Sequence, residues 1–199
     1  MKRADLYITK IIHKGEIKMY FNKSGKENTK ETLELAVSVA KSREINYIVV
    51  ASNEGETASY LKDCGLKVVV VTHANGFSKN GHQELSYEKR KELENMGFTV
   101  YTSTHVLSGA ERCLSKQFGG ISPTEVIAYS LRMFGQGVKV GVEIAVMALD
   151  GGVIPYGEDI VAVAGTGRGA DTAIILRPTH AADILHTKIK EIICKPSEW

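Results

Sequence analysis

Four consecutive valines, Val68–Val71, place the strongest constraint on how this chain can fold. Branched side chains of this kind favour strands, and a strand without a polar face has to be buried on both sides. Such strands belong to parallel sheets whose two faces are covered by helices. The run therefore predicts a central strand in a layered α/β fold.

Strand and helix patterns alternate along the first half of the chain, which predicts right-handed crossovers between parallel strands. Asn28 and Glu31 form a capping-box-like pair at the start of the first helix, and Gly65 ends the second. We predict a three-layer α/β/α fold with a mostly parallel sheet, and we treat residues 1–199 as one domain. The four strands predicted in this half are Ile17–Phe21, Ile45–Ala51, Leu66–Val71 and Phe98–Thr102.

The second half of the chain departs from this alternation. The segment Ser122–Glu125 combines an N-cap, a proline at the first helical position and a capping-box glutamate, so a helix begins there. Lys139–Asp150 is apolar on nearly every side, which favours a buried helix, although periodicity alone does not exclude a strand. Lys139 and Glu143 lie four apart on it, the spacing of a mutual ion pair between buried charges. Three further strands are predicted at Asp159–Ala164, Thr172–Arg177 and Ile189–Cys194.

Composition and charge exclude several classes of protein. The net charge of the 199 residues is +2, and Lys and Glu are spread along the chain, so we expect no nucleic-acid partner. The three cysteines are far apart and form no CxxC, which favours a reducing compartment and predicts no metal site. No apolar run reaches membrane-spanning length and no signal peptide is evident, so we expect a cytoplasmic protein without a membrane partner. Assembly into a homo-oligomer stays open.

Two glycine-containing turns follow predicted strands and are candidates for binding an anion. In Ser52–Thr57 the pattern changes from strand to helix, and backbone N–H groups at such a junction can hold a phosphate. An ordinary helix cap explains this turn equally well, and it is not a P-loop. In Gly165–Asp171 the alternate glycines let the backbone approach a ligand and Arg168 suits a phosphate, but a tight turn between neighbouring strands is the simpler interpretation. The predicted binding residues of the two turns are Ser52, Asn53, Glu54, Gly55, Glu56, Thr57, Gly165, Thr166, Gly167, Arg168 and Asp171.

Two histidines, His73 and His105, follow predicted strands and therefore lie at the same edge of the sheet. Either can act as a general acid–base. A single histidine in such a place is more often a ligand contact or a hydrogen-bonding loop residue, so catalysis is the secondary hypothesis for both. The loops that carry these histidines add Thr72, Gly76 and Thr104 to the predicted binding site.

Several of these segments resemble a known family. Ala51–Ala58 and Gly165–Ala173 resemble the two loops that form the allosteric sugar-phosphate site in the C-terminal α/β domain of pyruvate kinases. From about Ile17 onward, the chain more closely resembles a family of small stand-alone microbial proteins named for that domain. The other segments that carry this resemblance are Asn28-Thr29, Thr104-His105, Glu111-Arg112, Leu131–Gly137, Lys139-Val140 and Glu143–Ala148.

The resemblance implies a fold and a cofactor. Members of that family are similar in carrying bound flavin mononucleotide (FMN), which implies a flavoprotein with no firmly assigned reaction. It does not imply pyruvate kinase activity, because that active site lies on a TIM barrel of about 250 residues. One departure is Asn53-Glu54, where small hydroxyl residues are expected. Glu54 places a negative charge beside the predicted phosphate site.

These observations predict a protein that binds a phosphorylated small molecule, with FMN as the first candidate, across the carboxyl ends of its strands. Two alternatives stay open. One is a regulatory module that senses a sugar phosphate and catalyses nothing. The other is an enzyme that acts on a phosphorylated metabolite without flavin and uses His73 or His105. The sequence leaves open whether the chain is an enzyme.

Overall fold

The computed structural model describes the backbone of residues 9–13 and 16–199, and the side chains from Met19 onward. The strands are β1 Thr9–His13, β2 Glu16–Phe21, β3 Tyr47–Ser52, β4 Lys67–Thr72, β5 Thr99–Tyr101, β6 Ile160–Ala164, β7 Thr172–Arg177 and β8 Lys188–Pro196. The α-helices are α1 Thr29–Ser42, α2 Glu56–Ser59, α3 Tyr87–Asn95, α4 Ala110–Phe118, α5 Pro123–Arg132 and α6 Gln136–Asp150. Lys26–Asn28 and Ala181–His186 are 3₁₀ helices.

The eight described strands form one sheet in the order β1-β2-β8-β7-β6-β3-β4-β5. The strand pairs β2–β8, β6–β3, β3–β4 and β4–β5 are parallel, and the remaining pairs are antiparallel. Only β1 and β7, among these strands, run against the common direction. The predicted mostly parallel sheet is therefore confirmed, with an antiparallel β6–β7 hairpin inside it.

Helices cover both faces of the central strands. Ile48 and Val50 of β3 belong to the core under α1 and α3, whereas Val49 belongs to the core under α6. The four valines of β4 are all buried. Val68 and Val70 pack in the first core, and Val69 and Val71 in the second. The predicted three-layer arrangement is confirmed at the strand from which it was inferred.

The segment predicted as a buried helix is α6, and twelve of its residues are buried. Gly137 and Gly141 allow its backbone to lie close to β7. A Cβ atom at Gly137 would lie 2.2 Å from Thr172 Oγ1, and one at Gly141 would lie 3.0 Å from Ile174 Cδ1. Although α6 is very apolar, no helix within residues 9–13 and 16–199 has the length and hydropathy to cross a lipid bilayer.

Local capping signals had mixed outcomes. Asn28 is the N-cap residue of α1, as predicted, but its side chain makes no capping hydrogen bond and donates to the Lys23 carbonyl at 2.8 Å. The capping box before α5 is confirmed: the Ser122 N–H donates to Glu125 Oε2 at 2.9 Å. This hydrogen bond, with a second one from the Ser115 hydroxyl, holds the pKa of Glu125 below its usual value.

The helix that follows β3 is shorter than predicted. It was expected to continue to Gly65, but α2 ends at Ser59. Beyond it, Leu61 donates to the Ala58 carbonyl and Cys64 to the Leu61 carbonyl, so the chain continues as turns closed by i→i−3 hydrogen bonds.

Candidate functional site

The carboxyl ends of β3, β4 and β6 surround a cavity of about 410 Å³, which we call the main cavity. Both glycine-containing turns line it. The segment after β4 and one face of α6 complete its walls. The lining residues are Ala51–Thr57, His73, Phe77, Glu84, Gln136, Val140, Gly165, Gly167, Arg168 and Gly169.

A smaller space of about 140 Å³, the inner pocket, adjoins the main cavity. The two share part of their lining, including Ser52, His73 and Gln136. The inner pocket adds the side chains of several charged and polar residues. These are Thr72, His105, Ser108, Arg112, Arg132, Lys139 and Glu143.

Most of the residues predicted from sequence meet at these two spaces. Thr72 and His105 line the inner pocket, whereas Gly76 and Thr104 border a shallower surface depression beside it. Thr166 and Asp171 line none of these three spaces. The predicted residues at the main cavity are Ser52, Asn53, Glu54, Gly55, Glu56, Thr57, His73, Gly165, Gly167 and Arg168.

Asp171 is fully buried beneath the second turn instead of facing the main cavity. Its Oδ2 accepts hydrogen bonds from the N–H groups of Gly25 and Thr166, each at 3.2 Å. Its Oδ1 accepts from the Thr172 hydroxyl at 2.8 Å. The carboxylate therefore ties the loop after β2 to the β6–β7 turn, and it acts on the cavity through the position of that turn.

The Ser52–Thr57 turn offers backbone amides to the main cavity. Gly55 has a φ of +91°, which favours glycine, and its N–H donates to Ser52 Oγ at 2.9 Å. The first hydrogen bond within α2 runs from Ser59 N to the Gly55 carbonyl. The N–H groups of Glu56 and Thr57 come before that bond and have no partner inside the helix. Because α2 has four residues, its amides contribute more to an anion site than its dipole does.

An ion pair joins the two turns. Arg168 Nη1 lies 2.7 Å from Glu54 Oε1, and both side chains are more than half exposed. A second exposed pair connects Lys26 Nζ to Glu56 Oε2 at 2.6 Å. Exposed pairs contribute little to stability. Their effect here is electrostatic, because each glutamate beside the loop amides is opposed by a cation.

Close packing explains two glycines of the second turn. A Cβ atom at Gly165 would lie 2.5 Å from the Gly169 carbonyl oxygen, and one at Gly169 would lie 2.7 Å from Lys26 Cα. Ala164 pairs with Thr172 across the β6–β7 hairpin. The simpler interpretation, a tight turn between neighbouring strands, is therefore confirmed, and the same turn forms one wall of the main cavity.

Three rings cluster where the two spaces meet. His73 Nδ1 lies 2.5 Å from Glu84 Oε2, and the His73 ring centroid lies 3.9 Å from that of Phe77 and 5.4 Å from that of His105. Glu84 thus fixes one nitrogen of His73. The other nitrogen, Nε2, is the one that could exchange a proton with a ligand.

His105 has a different environment. Its Nε2 accepts a hydrogen bond from the Ala74 N–H at 3.3 Å, so a neutral ring carries its proton on Nδ1. Burial lowers the pKa of His105, and the Glu143 carboxylate acts in the opposite direction. A neutral ring with Nε2 already occupied is a weaker candidate for a general base than His73.

The predicted ion pair on α6 is confirmed. Lys139 Nζ donates to Glu143 Oε2, and each side chain is 5% exposed. Glu143 Oε1 also accepts from the Leu107 N–H at 3.0 Å, which anchors the loop after β5. Burial lowers the pKa of Lys139, although Glu143 opposes the change. The pair forms part of the inner pocket lining instead of being sealed in the core.

Several lining residues were missed by the sequence analysis. Phe77 and Glu84 lie in an irregular segment without helical or strand periodicity, so the sequence pattern does not indicate which way their side chains face. Residues 136, 139, 140 and 143 of α6 were visible in principle, because an i, i+3, i+4, i+7 spacing places them on one helical face. Arg132, which precedes α6, also lines the inner pocket.

The fold and the site define a three-layer α/β/α domain with a cavity at the carboxyl ends of its parallel strands. The family described as "Pyruvate kinase, alpha/beta domain" matches residues 30–176, and the chain belongs to this family. Among solved structures, the chain is similar to a pyruvate kinase from Cryptosporidium parvum, with 14% sequence identity and a TM-score of 0.38. That match covers 75% of this chain and 22% of the enzyme, so the chain spans about a fifth of the enzyme's length.

Proposed function

We propose that the main cavity binds a phosphorylated small molecule and that this molecule is FMN. The observation that carries the proposal is the meeting of two glycine-containing turns around one cavity of about 410 Å³. This volume lies within the range of about 300–1,000 Å³ that is typical of small-molecule and cofactor sites. The location follows the rule that open α/β sheets bind ligands at the carboxyl ends of their strands.

The residues present suit the two ends of such a ligand. The amides of the Ser52–Thr57 turn would hold the phosphate, with the Ser52 and Thr57 side chains beside it. The rings of His73 and Phe77 offer an aromatic surface on which a flat heterocycle can stack, and Phe77 is 49% exposed. Bound flavin would supply redox chemistry, while this chain would orient it and exclude water.

The first test is the visible absorption spectrum of the purified protein. Bound FMN gives a yellow protein whose colour survives desalting, and heating should release one flavin per chain. A protein that is colourless after expression, and stays so after incubation with FMN and desalting, would exclude FMN as the ligand.

Replacing Gly55 with valine tests the phosphate position. A Cβ atom there would lie 2.7 Å from Lys89 Cγ and 3.0 Å from Leu85 Cδ1, in a backbone conformation with positive φ. We expect the loop to move and flavin retention to be lost, with a stability cost of about 1–3 kcal/mol. Gly97→Val is the matched control, because Gly97 has a φ of +85° with nothing within 4 Å and lies outside the cavity lining. Equal retention in both variants would exclude the Ser52–Thr57 amides as the phosphate site.

The His73–Glu84 pair supports a second candidate function, an enzyme that acts on a phosphorylated metabolite without flavin. A carboxylate that fixes one imidazole nitrogen is a common way to orient a general base. If the protein is colourless, a thermal-shift screen against sugar phosphates identifies a ligand and ³¹P NMR reports its turnover. Turnover that is lost in His73→Asn and kept in His82→Asn would support an enzyme. Stabilisation without turnover would support a regulatory module.

A further inference from the structure

The inner pocket has an excess of positive charge, and the residues that carry it do not line the main cavity. Arg112, Arg132 and Lys139 line it, and Glu143 is the one carboxylate in its described lining. Among the ion pairs of the described residues, none includes Arg112 or Arg132. Arg132 Nε donates to the neutral Gln136 Oε1 at 2.8 Å, and its guanidinium carbon lies 4.9 Å from the centre of the Tyr129 ring. The guanidinium is thus positioned without being neutralised.

Lys139 adds a buried cation to the inner pocket, beneath the more exposed arginines. An ammonium group has three donors. Its one protein partner in the described part of the chain is Glu143. With the side chain only 5% exposed, the two remaining donors are withheld from bulk water beside a space of about 140 Å³. A buried donor without an acceptor is costly, so an oxyanion in this space would be stabilised.

Size and charge select the kind of anion. If each water-sized group takes about 30 Å³, the inner pocket holds roughly five of them. Three cations and one carboxylate leave the lining positive, so it attracts an anion; the small volume favours a compact one, and inorganic phosphate is the competitor that the test includes. The guanidinium of Arg132 matches the two oxygens of a carboxylate.

We propose that the inner pocket binds the carboxylate group of a small organic acid, separately from the phosphorylated ligand of the main cavity. His73 lines both spaces, so an acid bound there would lie beside the ring that Glu84 orients. The inner pocket is thus a place for a second, acidic ligand next to the main cavity.

The test is a ligand-observed NMR titration of the purified full chain with glycolate. Saturable binding is expected, with glycolamide, the neutral analogue, binding far more weakly. Arg132→Gln should weaken glycolate binding by about tenfold or more, since it removes charge-assisted hydrogen bonds. Arg112→Gln gives an independent reading from an exposed residue that is not required for packing. Lys62→Gln is the matched control, because it removes one exposed charge outside both spaces.

Three results would overturn the proposal. One is the absence of saturable glycolate binding to the unsubstituted protein. Another is an equal loss of affinity in Arg132→Gln and Lys62→Gln. The third is tighter binding of inorganic phosphate than of glycolate, which would assign the pocket to a phosphate. Flavin retention is measured on the same variants: retention kept in Arg132→Gln is expected, and its loss would place the pocket within the site of the phosphorylated ligand. A colourless protein that binds glycolate would refute only the FMN proposal.

Discussion

Replacing Lys139 with methionine is expected to lower the free energy of unfolding by about 3–5 kcal/mol, because it leaves the Glu143 carboxylate buried without its cation. Both residues are 4% exposed, and they lie one turn apart on the helix that covers the centre of the sheet. Methionine has nearly the same length as the aliphatic part of lysine, so packing against the sheet changes little. Urea unfolding followed by linear extrapolation measures the loss.

The double variant Lys139→Met/Glu143→Gln separates the lost charge pair from lost packing. The amide oxygen introduced by the second substitution can still accept from the Leu107 N–H, as Glu143 Oε1 does at 3.0 Å. We expect the double variant to recover most of the stability, because neither side chain is charged. A single variant that loses less than about 1 kcal/mol, or a double variant no more stable than the single one, would show that the charge pair does not dominate here.

The pH dependence of stability in the single variant Glu143→Gln reports the direction in which folding shifts the pKa of Lys139. In the folded protein burial lowers the pKa of Lys139 from its usual 10.5, and removal of Glu143 takes away the main opposing effect. The unfolded chain then binds a proton that the folded chain gives up, so the stability of this variant should rise with pH up to about 10.5. The rise should be smaller in the unsubstituted protein.

In the sheet, some features follow from the pattern of residues along the chain and others do not. The buried central strands were predictable because Val68–Val71 leaves no polar face, and only a doubly covered strand tolerates that. The apolar run of β7 reads the same for parallel and antiparallel pairing, and its direction follows instead from the connection Gly165–Asp171, which is too short for a parallel crossover. The place of β8 between β2 and β7 depends on hydrogen bonds to strands far apart in the sequence. β1 was not predicted either, because its strand conformation depends on antiparallel pairing with β2, which its own residues do not reveal.

The length of α2 depends on packing that sequence propensity does not contain. Ala58 and Leu61 are the fully buried residues of this region, and Cys64 is partly buried. Their spacing of three fits i→i−3 turns better than an α-helix, in which the same face recurs every 3.6 residues. Asp63, with a φ of +59°, then ends the turns. The composition of this segment therefore predicts a longer helix, whereas the burial of its apolar residues requires tighter turns.

The candidate site was predictable where it depends on strand ends and unpredictable where it depends on single side chains. Loops after β3, β4 and β6 had to meet, because parallel strands bring their carboxyl ends to one edge. Glu84 lies eleven residues beyond His73 in an irregular segment, so its contact with that ring had no sequence signal. Arg168 was expected near an anionic group of a ligand, and in the structure its partner is Glu54.

Replacing Asp171 with alanine is expected to lower the free energy of unfolding by about 3 kcal/mol or more. The carboxylate is fully buried and accepts three hydrogen bonds, from Gly25 N, Thr166 N and the Thr172 hydroxyl. Alanine leaves these donors without an acceptor, and each buried unsatisfied donor costs about 1–3 kcal/mol unless the structure relaxes. Relaxation would move the β6–β7 turn, so the affinity for the main cavity ligand should fall as well, although Asp171 does not line the cavity.

Asp171→Asn is the matched variant that keeps acceptors where they are used. Its amide oxygen can take the place of Oδ2 and accept from Gly25 and Thr166, while its NH₂ group donates to the Thr172 hydroxyl, which can turn to accept. We expect a cost of about 1 kcal/mol, since only the charge assistance is lost, and nearly unchanged ligand retention. Chemical unfolding and flavin retention, measured on both variants, check this. If asparagine costs as much as alanine, the negative charge itself holds the turn; if alanine costs little, the turn keeps its position through the Thr29 hydroxyl, which accepts from the Ala170 N–H at 3.0 Å.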